Sequence, residues 1–379
     1  MSATNIFTFV GAMLTVAWAA VLLRGALFAL DEDALVIEPA AWPDVVVIVP
    51  ARDEASVIGE SVGSLLAQDY AHGRVRIVVV DDHSSDGTGE IARALTAASA
   101  SAHSLTVLSG QPLPPRWTGK LWAVAQGVAA AGEPKWLWFT DADIAHAPDT
   151  LRALVARAER ERLVLNSRMA LLRTGSFAER AIVPAFVYFF RLLYPFGAVN
   201  DPRSRTAAAA GGCMLVRREA LERAGGIAAI RGALIDDVAM GGLMKRMGPI
   251  RLALSHATVS LRASGWHGLW AMIARSAYAQ LRFSPWLLGG ALVGIVALFW
   301  GPVAVVGALP RKPGVWLALL GMGASYLPML RFYRQSPLWV LVLPLIALFY
   351  AAATLASAVQ HWSGRGGMWK GRAQAMAGA

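Results

Sequence analysis

Residues 44–54 read DVVVIVPARDE, a short unbroken apolar run that stops at a proline and gives way to an arginine and two carboxylates. A run of this length without polar alternation is the pattern of a strand covered on both faces. The same pattern returns twice downstream. VRIVVV at 75–80 runs into Asp81 and Asp82, and KWLWFT at 135–140 runs into Asp141 and, two residues on, Asp143. Between the first two, EASVIGESVGSLLAQ sets Val57, Ile58, Val62, Leu65 and Leu66 on one helical face, with Asp53 where a helix cap would stand. Strand, helix, strand in this order predicts an open α/β sheet over roughly residues 40–265, parallel through these strands.

Ligands of open α/β sheets bind outside the carboxyl ends of the strands. Asp53, Glu54, Asp81, Asp82, Asp141 and Asp143 are therefore expected to meet in one crevice. Any one pair could be a turn: DDHSSDGTGE (81–90) also fits an Asx-turn leading into a helix. Three acidic strand ends in a row favour convergence. Hard carboxylate oxygens suit a divalent cation, Mg or Mn, bound together with substrate phosphates. No G-x-G-x-x-G follows any of these strands, and the P-loop, H-E-x-x-H and G-x-S-x-G patterns are missing, so dinucleotide-binding, ATPase, zincin and serine-hydrolase readings fall.

With 56% hydrophobic and 16% charged side chains, the 379-residue chain is more apolar than an ordinary soluble domain, which points to a membrane. The net charge of +10 would suit anionic lipid, phosphorylated substrates or nucleic acid. Nucleic acid is set aside, because the Arg and Lys residues are scattered and no basic, aromatic-interleaved module is present. The single cysteine, Cys213, excludes an internal disulfide and a cysteine zinc site, and in AAAAGGCMLV (207–216) it reads as a small buried residue.

Hydropathy sets out the remaining organisation. Residues 6–30 can span a bilayer; a retained anchor fits better than a cleaved leader, since MSATN carries no charge and DEDALVIEP follows. Residues 286–309 and 337–359 read as spans, and 314–330, short and carrying Pro328, as a span or a re-entrant piece. WHGLWAMIARSAYAQLRF (266–283) is amphipathic, with Arg275 and Arg282, and belongs at the membrane surface. AIVPAFVYFFRLLYPFGAV (181–199) is apolar but interrupted by Pro184, Arg191 and Pro195, and reads as a surface or acceptor-facing helix. The expected layout is an anchor (1–32), the α/β domain (40–265), an interfacial helix (266–285), two or three spans (286–360) and a basic tail (361–379). Basic residues after the first span place 31–285 in the cytoplasm; the basic tail prefers the same side, which three complete spans after the domain would not allow.

VIVPARDE (47–54), VVVDDHSSDGT (78–88), WTGKLWAVAQG (117–127) and FTDADI (139–144), in this order, resemble the signatures of family-2 inverting glycosyltransferases of the GT-A fold. PPRWTGKLWAVAQG (114–127), AERAIVPAFVYFF (178–190), the 207–237 stretch, MLRFYRQSPLW (329–339) and QHWSGRGGMWKGR (360–372) narrow the resemblance to bacterial hopene-associated (hopanoid biosynthesis) glycosyltransferases. The resemblance implies a Rossmann-like mixed sheet in the cytoplasmic domain, between an N-terminal membrane anchor and C-terminal transmembrane helices. It assigns Glu54, Asp81 and Asp82 to the nucleoside, Lys120 after Gly119 to the nucleotide or its diphosphate, Asp141 to the nucleotide sugar, and Asp143 to the metal. Asp236 and Asp237 match the family's acidic dyad, whose second member is the catalytic base; Asp236 would contact acceptor or diphosphate. Without the resemblance, IDDVAMGGLMKRM (235–247) reads rather as acids at a helix N-terminus. The family's Gln-x-x-Arg-Trp element falls on Ala279–Phe283, retaining Arg282 as an acceptor or diphosphate contact but displacing the glutamine by one.

The implied protein is a multi-pass enzyme of the bacterial inner membrane, taking a nucleotide-sugar donor and a lipid acceptor related to hopanoids. A processive polysaccharide synthase would need a membrane channel, and a non-catalytic nucleotide-sugar-binding scaffold would have no use for Asp237. Both remain as alternatives at this stage.

Overall fold

The computed structural model describes residues 2–25, 38–39, 41–70, 73–98, 102–364, 368–369 and 372–373. It divides into two units, one of residues 1–28, 174–195 and 263–366 and one of residues 29–173, 196–262 and 367–379. The expected continuous α/β stretch is thus interrupted: residues 174–195 cluster with the apolar helices.

In the α/β unit, β1 (Val45–Ala51) is buried along its length, as its unbroken apolar sequence requires. It pairs in parallel with β2 (Val75–Asp81) on one side and β4 (Trp136–Phe139) on the other, and β3 (Ser104–Ser109) extends the parallel half beyond β2. The later strands turn the sheet mixed. β7 (Met214–Arg217) runs antiparallel to β4, followed by β6 (Leu165–Leu171), β8 (Ile250–Ser260) and β5 (Ile144–His146), giving the order β3-β2-β1-β4-β7-β6-β8-β5. Helices α2 (Ile58–Leu66), α3 (Thr88–Ala98), α4 (Gly119–Ala130) and α5 (Thr150–Arg160) connect strands. Further on, α7 (Phe196–Asn200), α8 (Arg218–Arg223) and α9 (Asp236–Lys245) complete the unit. Val47, Val49, Ile58, Val62, Leu65, Trp136 and Trp138 meet in the core beneath the sheet. Each buried aliphatic side chain of this kind contributes roughly 1.5–3 kcal/mol relative to exposure.

The apolar unit comprises α1 (Ala3–Gly25), α6 (Phe177–Leu193), α10 (Trp266–Gln280), α11 (Pro285–Ile295), α12 (Gly301–Ala308), α13 (Trp316–Phe332) and α14 (Leu343–Trp362). Among the described residues four helical stretches are long and apolar enough to cross a membrane: 3–23, 285–308, 313–332 and 337–362. The end of the expected anchor, 26–32, and most of the basic tail lie outside the described residues. The piece with Pro328 proves to be one continuous helix, α13. Between α11 and α12 the helix widens into a π turn, Val296–Trp300. Pro302 has no N–H to give the carbonyl of Leu298 four residues back, and that oxygen accepts the indole N–H of Trp18 at 3.1 Å. The segment expected to face surface or acceptor forms α6, which packs against α10, α13 and α14 with Tyr188 and Arg191 buried. It starts with a capping box in which Ser176 and Glu179 satisfy each other's backbone N–H groups. α10 is one-sided as expected, burying Leu269, Ile273, Ala274 and Tyr278 and exposing Trp266.

Candidate active site

Register brings the strand ends to one rim. Ala51 stands opposite Asp81 and Ile48 opposite Phe139, so the residues following β1, β2 and β4 emerge together. The N–H of Thr140 extends the β4 pairing by bonding to Ile48 O at 3.2 Å. From the other side, β8 runs antiparallel to β5 with Ser260 opposite Ile144, and the Leu261 N–H donates to Asp143 O at 2.8 Å. The end of β8 therefore arrives at the same rim. Thr118 caps α4 by accepting the Leu121 N–H, and Gly127 lets this helix lie close on the sheet: a Cβ there would stand 2.5 Å from Ile48 Cγ2. Lys120, in the first turn, is aimed at the rim by this docking.

Two cations organise the carboxylates. Lys120 Nζ lies 2.7 Å from Asp141 Oδ1 and 2.9 Å from Asp236 Oδ2. Arg262 Nε lies 2.9 Å from Asp143 Oδ2, and its Nη2 lies 2.5 Å from Glu54 Oε1. Asp237 accepts N–H groups from Gly211 at 3.2 Å and Val238 at 2.7 Å. Burial, with Asp236 beside it, nevertheless pushes its carboxyl up to about 6. Burial likewise raises Asp141, with Asp143 and Asp236 adding to it and Lys120 opposing. Burial works against the Lys120 ammonium, but Asp141 and Asp236 outweigh it and keep the group charged. A Cβ on Gly211 would stand 3.4 Å from Lys120 Nζ, 3.5 Å from Asp141 Oδ2 and 3.7 Å from Asp237 Cβ. This glycine is what keeps the centre of the cluster open.

Asp81 and Asp82 occupy the neighbouring strand end. Asp81 Oδ1 accepts the Ser84 N–H at 3.0 Å, and the buried Asp82 lies 3.7 Å from the Arg52 guanidinium, which also bonds to its backbone carbonyl. Asp53 does not cap α2, which begins after Val57 with no side-chain cap. It sits instead in the left-handed region at φ 50° and accepts the Ser85 N–H at 2.8 Å, tying the two loops together. Arg282 belongs to the other unit, exposed in the turn after α10, where it and Phe283 both have positive φ.

Behind the acidic rim lies a buried polar brace. Thr140 Oγ1 donates to Gly212 O at 3.0 Å and lies 2.9 Å from His146 Nε2, while His146 Nδ1 lies 3.3 Å from Thr258 Oγ1. With the Thr140 proton on Gly212, the ring proton belongs on Nε2 and Nδ1 accepts from Thr258. Burial, reinforced by Arg168, brings the imidazole down to about 3, so it is neutral. His146 thereby ties the end of β4 to β5 and β8, the strands carrying Asp141, Asp143 and Arg262.

The donor set fits a divalent cation. Asp141 engages Lys120 through Oδ1 and turns Oδ2 toward the open space at Gly211, and Asp143 supplies further hard oxygens. No group of three or more His, Cys, Asp or Glu side chains converges for metal binding among the described residues. Two carboxylates with the remaining positions left to phosphate and water is a magnesium- or manganese-type arrangement.

Arg262, Arg52 and Gly211 were not singled out by sequence reasoning. Arg262 follows a strand whose antiparallel partner is only three residues long, which no local pattern announces. The pairing of Gly211 and Gly212 was the available signal, since adjacent glycines between a small-residue run and a strand mark close backbone approach.

Residues 46–225 match the Glycosyl transferase family 2 profile. The chain carries a glycosyltransferase family 2 domain. The GT-A architecture recurs in the mannosyltransferase from Pyrobaculum calidifontis solved with GDP-Man and Mn2+. That protein is 22% identical, with 95% of this chain and 99% of that one covered at a TM-score of 0.55, a likeness of fold. Glucosyl-3-phosphoglycerate synthase from Mycobacterium tuberculosis, solved with Mn2+, UDP-glucose and phosphoglyceric acid, is 20% identical over 63% of this chain and 79% of that one, with a TM-score of 0.39. TarS 1–349 of S. aureus, solved with UDP-GlcNAc, is 15% identical over 85% and 92%, with a TM-score of 0.42. No curated protein matches the chain. The glycosyltransferase profile spans the parallel half of the sheet and the acidic rim from Glu54 to Asp143, and stops short of Asp236, Asp237 and Arg262.

Proposed function

We propose that this protein is a membrane-bound inverting glycosyltransferase that moves one sugar from a nucleotide-sugar donor to the hydroxyl of a lipid acceptor, of the hopanoid type. The observation that carries the reading is Asp237: a carboxyl pushed up to about 6, held by the Gly211 N–H at the open centre of the cluster that also contains Lys120 and Asp141. A base with its pKa near the working pH is suited to taking a proton from an alcohol as that oxygen attacks.

In this reading Glu54, Asp81 and Asp82 hold the nucleoside, Asp141 the donor and Asp143 the cation, while Asp236 faces acceptor or diphosphate. Asp237 accepts the acceptor's hydroxyl proton while the oxygen displaces the nucleoside diphosphate from the anomeric carbon in one inverting step. Lys120 has three N–H donors, of which Asp141 and Asp236 take two, leaving one for the departing diphosphate. A bound Mg or Mn would neutralise diphosphate charge. The four candidate spans support membrane attachment, and Arg24 directly after the first, with no Lys or Arg before it, agrees with a domain facing the cytoplasm of a bacterial inner membrane. The hopanoid acceptor rests on the sequence resemblance over 207–237 and the tail.

The test is nucleotide release by the detergent-purified protein across UDP-, GDP- and dTDP-sugars with manganese or magnesium, with and without a hopanoid-containing lipid extract. Release from one donor, stimulated by the extract and lost in Asp237→Asn, is the expected result. Near-normal turnover in Asp237→Asn would remove the base assignment.

A further inference from the structure

The arginine that closes β8 has a place in this site that the family profile does not reach. The pairing of Leu261 with Asp143 delivers the next residue, Arg262, directly beside the second aspartate of the D-x-D. Its guanidinium bridges Asp143 and Glu54, carboxylates from two different strand ends. A guanidinium offers its donors in a rigid planar fork, which suits two acceptors held at a fixed separation and suits a diphosphate equally well. Lys120 meanwhile holds Asp141 and Asp236. The protein thus supplies its own positive charge to both aspartates of the D-x-D. Asp143, the carboxylate assigned to the cation, is the one Arg262 holds, and like charges repel across one carboxylate. The side chain is 44% exposed, so the fork can swing outward without opening the core.

We propose that Arg262 is a resident counter-cation. In the empty enzyme it keeps Glu54 and Asp143 in place; on donor arrival it gives up Asp143 to the divalent cation and turns its fork to the diphosphate. The inference rests on the glycosyltransferase reading for the identity of the arriving ligand. It makes Arg262 a positioning residue whose removal has opposite effects on the two ligands: the cation alone binds more tightly, and the diphosphate more weakly.

The experiment measures Mn2+ alone, by the electron paramagnetic resonance signal of the free ion, and inorganic pyrophosphate at saturating Mn2+, by calorimetry, on the purified full chain. Arg262→Gln is expected to bind Mn2+ about tenfold tighter than wild type and pyrophosphate about tenfold more weakly, the scale of one charged hydrogen bond. Arg262→Lys, which keeps the charge without the fork, should fall between on both. Arg52→Gln removes the same charge from the neighbouring loop, where its partners are Asp53 and Asp82, and should leave Mn2+ affinity close to wild type. Unchanged Mn2+ affinity in both Arg262 variants, or equal tightening in Arg52→Gln, overturns the proposal. Because no sugar enters these measurements, they stand apart from whether any donor is turned over.

Discussion

Lys120 Nζ lies 2.9 Å from Asp236 Oδ2, pinning the first turn of α4 to the first turn of α9. The pin joins a helix docked on the parallel half of the sheet to the helix that carries the candidate base, and it sets the charge around that base. Asp236 raises the Asp237 pKa and Lys120 lowers it.

The pH profile follows from those signs. A base must be ionised to work, so kcat/KM should fall below a limb near pH 6, the value of Asp237 in the free enzyme. Asp236→Asn removes a neighbouring negative charge and should move the limb to lower pH. Lys120→Met removes the opposing positive charge and should move it higher, with at least a hundredfold loss of kcat, about what an electrostatic contact to the leaving group is worth. Limbs that stay put in both variants would mean that Asp237 is not the titrating base.

Gly211→Ala separates folding from binding. The added methyl meets its neighbours at ordinary contact distances of 3.4 Å or more, so the melting temperature should hold. It also fills the space between Lys120, Asp141 and Asp237, and nucleotide-sugar affinity should fall about tenfold or more, as expected where a ligand needs close backbone approach.

Gly241→Ala should do the reverse. A Cβ there would stand 2.5 Å from the carbonyl carbon of Ala208, and backbone cannot step aside as a side-chain tip can. Overpacking of this kind costs about 1–3 kcal/mol. The melting temperature should drop, and transfer should drop with it because α9 carries Asp236 and Asp237. A melt unchanged from wild type would show that α9 can shift freely.

His146 gives an acid-stability test. Its folded pKa, about 3, lies below the ordinary value of 6.5, so the fold favours the neutral ring. That preference is fully in force above pH 6.5 and destabilises the fold progressively as pH falls toward 3, where the unfolded chain takes up a proton the folded one refuses. His146→Leu should cost about 1–3 kcal/mol at neutral pH by taking one hydrogen-bond partner from each of Thr140 and Thr258, yet show a flatter decline in acid. Thermal melts of both proteins from pH 7 to 4 would reveal parallel slopes if the imidazole were not the titrating group.

The parallel half of the sheet was legible because its strands are covered on both faces and announce themselves as unbroken apolar runs. β6 hid because it buries Asn166, Ser167 and Arg168 along its length, and β5 because three residues carry no periodicity. The same division runs through the candidate site. Glu54, Asp81, Asp82, Asp141 and Asp143 follow readable strands, whereas Asp236 and Asp237 had no local feature separating them from a helix start. Arg262 reaches its carboxylates only through an antiparallel pairing that joins distant parts of the chain.

The carbonyl left bare by Pro302 sets a timetable for synthesis. Trp18 is made 280 residues before Leu298, and Leu298 and Phe299, which receive its indole N–H and pack edge-on against its ring at 5.3 Å, follow only after the whole glycosyltransferase domain. Until then α1 has neither its hydrogen-bond acceptor nor α12 and α13, the helices it packs against. A growing chain therefore carries α1 unfinished throughout the synthesis of the glycosyltransferase domain, and the helix completes its packing only when α12 and α13 follow.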